Sequence, residues 1–310
     1  MQVSLLLAEQ IAELFLILLM GYLIVRCHLL TAADSRVLSV IMVYLVLPCV
    51  ILKSFQIDDT PQLRQGLLYA FVIAVLLHIL FLIVTALLRH LLHLDVIEQA
   101  TVIYSNAAAL VIPLVHALLG DEYVVYSCAF VIVQLILLWT HCSTILRGIH
   151  GMDWRKILLN INVISIVIGA LLFFCHISLP SRLLETLSTV GNMVGPIGML
   201  LAGMAIAESP LRQLFRSPRY YLIAALRLLV YPLIALSLLW ALRAAAWIPD
   251  AKPILMTVYL AAITPACATL TSMSQLYQQD SAHASALYML TTLLCIATMP
   301  LMVGLFQLLL

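Results

Sequence analysis

Charged residues interrupt this chain only at intervals close to the thickness of a bilayer. Between them run stretches of about 20 mainly apolar residues, long enough to cross the hydrocarbon core as a helix. A helix is the expected form because it satisfies its backbone groups within its own segment, where no water is at hand. Ten stretches can be counted. Five fall at 3–25, 37–55, 66–88, 100–119 and 123–146; a polar loop follows at 147–156; five more fall at 157–177, 183–207, 220–242, 254–277 and 281–310. Only 9% of the 310 residues are charged and 65% are hydrophobic, against about 25% charged in a soluble domain. So few charges cannot build a water-facing surface. The expected class is an all-α integral membrane protein of ten transmembrane helices. A formal net charge of +1 leaves no basic excess for nucleic acid. The seven cysteines lie mostly in apolar runs without CxxC spacing and read as packing residues. No metal or cofactor is expected. The opening Met1-Gln-Val-Ser-Leu lacks a basic leader, so the first stretch reads as a retained span.

Lysine and arginine in short loops set orientation. They favour the side holding loops 1–2, 3–4, 5–6, 7–8 and 9–10 by nine to five. That side is expected to be cytoplasmic, with both termini outside the cell (inner or plasma) membrane. Two sets of five spans suggest a duplication. Pro48 and Pro196 lie 148 residues apart, and Pro113 and Pro265 lie 152 apart. Five is odd, so a second copy enters the membrane from the opposite side. The expected domains are inverted five-helix repeats at 1–146 and 157–310, joined by the cytoplasmic loop 147–156.

Spans 4 and 9 each carry a proline far from their ends, Pro113 and Pro265. An interior proline removes a helical hydrogen bond, and the freed groups must face protein or a water-filled cavity. Both segments are therefore expected to break near the midplane. Half-helix N-termini there point partial positive charge inward, which suits an anion. Asn106 adds an amide that donates and accepts, and Thr264, Thr269, Thr271 and Ser272 add hydroxyls. Arg227 lies deep in span 8, where a charge needs a reason. It is expected either to meet a substrate carboxylate or to snorkel or pair structurally. Glu9 and Glu13 share one face of span 1, with Glu13 the deeper and the better candidate for ion coupling. His78, His116, His141 and His176 sit on different spans and read as packing residues. Protease, transferase and Walker A motifs are missing, which excludes the usual membrane enzymes and ATP-driven pumping by this chain alone.

The segment from Ser105-Asn-Ala-Ala-Ala-Leu-Val-Ile-Pro113 to Gly120-Asp-Glu122 resembles the auxin efflux carrier family. So do Val131-Ile-Val-Gln134, Gly195-Pro-Ile-Gly198, Leu226-Arg-Leu-Leu-Val-Tyr-Pro232 and Thr264-Pro-Ala266. The family includes plant auxin exporters and bacterial carriers proposed to move malonate or malate. The resemblance implies a ten-helix inverted-repeat fold similar to that of bile-acid sodium symporters, with spans 4 and 9 crossing at their prolines, and a homodimer. It implies a site made by Asn106, Pro113 and Pro265 with its neighbours, and Gln134 in a polar support beside the crossing. The family's glycines are replaced here by Ala108 and Val111, and Gln275 stands near the position of a lysine in plant members. The expected function is secondary-active transport of a small organic anion, with a proton or sodium as candidate coupling ion. The alternatives are a non-transporting receptor on a carrier fold and a cation-coupled antiporter of a related inverted-repeat family. The latter usually needs acids in the crossing, and none lies between Glu98 and Asp121 or between Asp250 and Asp280.

Overall fold

Helix boundaries in this chain follow local chemistry. Thr60 accepts a hydrogen bond from the Leu63 N–H and is followed by Pro61, a pairing that starts a helix. That helix ends at His93, which takes the left-handed conformation common at helix ends. Asp95 then opens the next helix with a capping box: its carboxylate accepts from the Ile97 and Glu98 N–H groups, while Glu98 reaches back to the Asp95 N–H. The computed structural model describes residues 13, 16–31, 34–56, 60–148, 159, 161–207, 217–243, 248 and 251–310. Among these residues the regular structure is helical, and the one extended pairing is an isolated antiparallel bridge.

In chain order the helices are α1 Leu16–Arg26, α2 Ser35–Ser54, α3 Pro61–Leu92, α4 Val96–Ile103, α5 Ala107–Leu119, α6 Glu122–Arg147 and α7 Ile161–Phe174. They continue with α8 Ser181–Gly191, α9 Val194–Ala207, α10 Pro218–Leu242, α11 Ala251–Ile263, α12 Thr269–Leu276 and α13 Ser281–Leu309. Among the described residues α2, α3, α6, α10 and α13 are long and apolar enough to cross a membrane, and α1, α7 and α11 are shorter apolar helices. The expected spans 4 and 9 are each two helices, α4/α5 and α11/α12. The expected span 7 is also divided, into α8 and α9, at Asn192–Met193. Residues 3–12 of the expected first span, Glu9 among them, and most of the 147–156 loop lie outside the described residues.

Three helices contain a π turn: Met42–Val46 in α2, Leu138–Cys142 in α6 and Leu226–Val230 in α10. Two of these turns end two residues before a proline, Pro48 and Pro232. The wider turn accommodates the ring that would otherwise clash with the preceding carbonyl.

The helices sort into two packed groups. In one, α2 lies against α7 and α8. The Phe55 ring covers Gly169, and Val50 covers Gly191. The backbones of α1 and α9 touch, because Gly21 faces the Leu200 backbone and Gly203 faces the Leu18 carbonyl. Such small residues let membrane helices approach closely. In the other group α3 packs on α6, α5 on α6 and α11, and α10 on α11 and α13. Thr85 of α3 and Tyr231 of α10 share a buried hydroxyl contact of 2.6 Å. The groups meet where α9 packs on α5 and α2 on α6, so α5 lies at the seam.

Candidate functional site

Pro265 has no N–H and pushes the preceding Thr264 away from helical geometry. Accordingly α11 stops at Ile263 and α12 begins at Thr269. α4 stops at Ile103, and Tyr104 is extended at φ −95, ψ 122. The two unwound stretches satisfy each other. Ser105 and Ala266 form the antiparallel bridge. The Asn106 N–H donates to the Pro265 carbonyl at 2.8 Å, and the Cys267 N–H donates to the Tyr104 carbonyl at 3.1 Å.

Side chains from other helices complete the accounting. Gln134 of α6 clamps Ser105 with three hydrogen bonds. Its Oε1 accepts from the Ser105 N–H at 2.9 Å and from Oγ at 2.7 Å, and its Nε2 donates to the Ser105 carbonyl at 2.8 Å. Thr291 of α13 does the same work for the second break, accepting from the Ala266 N–H at 3.2 Å. Arg227, placed by the π turn of α10, is fully buried. Its Nε and Nη2 donate to the Thr264 carbonyl at 3.1 and 2.7 Å. Nη2 also reaches the Ala262 carbonyl at 2.7 Å, and Nη1 the Val102 carbonyl at 3.0 Å. One guanidinium therefore binds carbonyls from the ends of both α4 and α11.

This gives the crossing an unequal electrostatic balance. Helix C-termini carry partial negative charge and N-termini partial positive charge. The C-terminal ends of α4 and α11 have Arg227 as their counter-charge. The N-terminal ends of α5 and α12 have no counterpart in the crossing segments, which carry no Asp or Glu between Glu98 and Asp121 or between Asp250 and Asp280. Their first N–H groups also lack acceptors within their own helices.

The model of one family, described as membrane transport protein, matches residues 6–149 and 143–303, nearly the whole chain. The chain belongs to this membrane transport protein family. It is the family of the auxin efflux carriers, whose members are transporters and not enzymes. The chain is thus a multi-pass membrane transporter with a solute to carry and a bilayer around it. A search of curated proteins returns no match to it.

The structure of the transporter brings Asn106, Gln134, Thr264, Pro265 and Arg227 together at the crossing. Asn106 is 8% exposed, and its side chain makes no hydrogen bond among the described residues. Thr264 is fully buried, with its hydroxyl spent on the Ala261 carbonyl. Thr269 is exposed at the start of α12. One expectation needs correction. The first break is not at Pro113 but at Tyr104–Asn106. Pro113 lies inside α5, roughly 10 Å along the helix from its start. The backbone tolerates that proline within a helix, while Ser105 and Asn106 supply the unwinding and Gln134 stabilises it. Pro113 is therefore not the partner of Pro265 across the crossing; Ser105 and Ala266 are paired instead. Of the alternatives for Arg227, structural pairing is the one seen: it is buried, with its donors on backbone carbonyls.

Glu13 is exposed and has no ion-pair partner among the described residues. The side chains of Pro113, Ser272, Gln275, Ala108 and His116 lie outside the description. The Thr271 hydroxyl is buried without a partner among the described residues. All seven cysteines are free. Cys128, Cys142, Cys267 and Cys295 are buried as packing residues, whereas Cys27 and Cys175 are exposed. Thr291, Ser105 and the Tyr104–His141 contact belong to the crossing but carry no sequence signal that separates them from ordinary polar residues in a span.

A second polar cluster joins the ends of α3, α4, α10 and α13. Arg219 grips Glu98 with two hydrogen bonds of 2.6 and 2.5 Å, and also donates to the Leu92 and His93 carbonyls. His283 Nε2 lies 3.4 Å from Asp95 and 3.9 Å from Glu98. Burial works against ionisation of Asp95. The His283 contact and the Glu98 and Ile97 N–H groups outweigh it, and hold the carboxyl below its ordinary range. Asp95, Glu98 and His283 converge within 4.8 Å as metal ligands would. The Arg219 guanidinium already occupies the Glu98 carboxylate, so the cluster is an ion-pair knot tying four elements.

Proposed function

We propose that the transporter is a secondary-active carrier of a small organic carboxylate, bound where the two broken segments cross. The observation that carries this reading is the electrostatic imbalance of the crossing. Arg227 neutralises the carbonyl ends from within, and the crossing segments carry no acidic side chain to answer the amide ends, so an incoming anion supplies the missing charge. Asn106, whose amide has no partner among the described residues, is the side chain proposed to orient it, with Thr269 at the start of α12. The same absence of acids speaks against a cation antiporter.

The proposal extends to the architecture. Ten spans form two inverted five-helix repeats, 1–146 and 157–310, around the connecting loop 147–156. The support for this is the likeness of the two breaks: each is held by a polar side chain from the next helix, Gln134 on α6 and Thr291 on α13. Alternating access is then rocking of the α3–α6 and α10–α13 group against α1, α2 and α7–α9. Both termini are placed outside the cell membrane, and the carrier is taken to be a homodimer, with a proton or sodium as coupling ion.

The test is thermal unfolding of the purified transporter with a panel of carboxylates, malonate and malate included. A concentration-dependent rise in unfolding temperature with at least one carboxylate, and none with matched organic cations, is expected. Stabilisation by cations alone would overturn the reading.

A further inference from the structure

The π turn of α6 carries a histidine that the crossing itself does not need. His141 Nδ1 lies 2.8 Å from the Tyr104 hydroxyl, which is also 3.2 Å from the Leu137 carbonyl. Tyr104 is almost fully buried and is the first unwound residue of the break, with its own carbonyl bonded to Cys267 across the crossing. His141 is only half-buried, and its other ring nitrogen makes no hydrogen bond among the described residues. We infer that His141 is a proton-binding site linked through Tyr104 to the crossing, and that protonation there strengthens anion binding. This inference rests on the carboxylate reading above.

The geometry keeps the His141–Tyr104 contact in both protonation states of Nδ1. In neutral His141 the Nδ1 lone pair accepts the Tyr104 O–H. When a proton is added at Nδ1, the ring becomes the donor to the Tyr104 oxygen, and the Tyr104 hydroxyl proton turns to the Leu137 carbonyl. One proton enters, none leaves, and each hydrogen bond has a donor and an acceptor. Histidine is the side chain whose charge changes in the neutral range.

The groups facing this pair are uncharged. Tyr104 approaches from α4, Cys142 is the next residue on α6, and Cys267 lies beside Tyr104 from the second break. Two residues on from His141, Ser143 donates to the Tyr277 hydroxyl of the segment after α12 at 3.0 Å. The closest cation along α6 is Arg147, which sits over the Tyr277 ring at 5.1 Å. No carboxylate or cation pairs with His141 among the described residues, so a proton there adds a full, uncancelled charge. A unit charge on the order of 12 Å from a bound anion, at an effective dielectric near 20, changes affinity about tenfold.

The experiment has two arms on the full-length purified transporter. In the first, histidine ring signals are followed by NMR between about pH 5 and 8, with His141 assigned by its loss in His141→Gln. A titrating His141 signal whose midpoint moves in Tyr104→Phe is expected. In the second, malonate binding is measured at about pH 5.5 and pH 8. Wild type is expected to bind about tenfold more tightly at the lower pH, and His141→Gln, which keeps a hydrogen-bonding group for Tyr104, to bind equally at both. A His141 signal that does not titrate in this range would overturn the inference, as would an undiminished pH dependence in His141→Gln. A titrating, Tyr104-dependent His141 with no malonate binding by any variant would sink the carboxylate reading and leave the proton site standing.

Discussion

Replacing Arg227 separates two roles that the wild-type side chain combines. Its guanidinium holds the Val102, Ala262 and Thr264 carbonyls, and it is the fixed cation of the crossing. Arg227→Met keeps much of the stem but leaves three carbonyls without their donor. Each buried carbonyl left without its partner costs about 1–3 kcal/mol. For the three carbonyls the expected net loss lies at the lower end, about 3 kcal/mol, because the cost of burying the guanidinium is relieved at the same time. The same substitution removes a positive charge near the proposed anion. At a separation on the order of 8 Å and an effective dielectric near 20, that charge contributes about 2 kcal/mol, or about 30-fold in affinity. Arg227→Lys keeps the charge but cannot span three carbonyls with a planar fork. Thermal unfolding and carboxylate binding should therefore diverge between the variants. Methionine lowers both stability and affinity, while lysine lowers stability and keeps most of the affinity. A stable Arg227→Met protein that binds the carboxylate as tightly as wild type would refute the electrostatic argument.

Gln134→Leu removes all three hydrogen bonds to Ser105 and should destabilise the transporter by about 2–4 kcal/mol, read as a lower unfolding temperature with or without ligand. In Gly203→Val the new side chain collides with the Leu18 carbonyl. A loss of about 1–3 kcal/mol is expected in unfolding assays, without a change in carboxylate affinity if the protein still folds. Asp95→Ala removes an N-cap worth about 1 kcal/mol. The Asp95 carboxyl is held below its ordinary range, so its stabilisation is present above that range and lost as acid protonates the native carboxylate. The gap in unfolding temperature between wild type and Asp95→Ala should thus be full at neutral pH and close in strong acid.

Charge spacing made the helices legible: among the described residues the apolar stretches are helical, five of them long enough to cross a membrane. Pro265 also signalled its break, because a proline dictates the geometry of the residue before it. Pro113 misled for a physical reason: a proline inside a helix marks a place where a hydrogen bond is lost, not where the chain must unwind. The first break instead depends on Ser105 meeting Gln134 from a helix about 30 residues on, a tertiary contact with no local pattern. Arg227 was visible as an anomaly, but its partners are backbone carbonyls, which no sequence displays. Thr291 and the Tyr104–His141 pair were hidden likewise, since each looks like an ordinary polar residue until the fold brings its partner within reach.

Uptake of a labelled carboxylate by proteoliposomes containing wild type or Asn106→Ala tests the central claim most directly. The Asn106 side chain makes no hydrogen bond among the described residues, so the variant should unfold at the wild-type temperature. Saturable uptake by wild type and at least tenfold slower uptake by Asn106→Ala, a loss of one charge-assisted hydrogen bond, is the predicted result. Equal rates for the two proteins would contradict a binding site at the crossing.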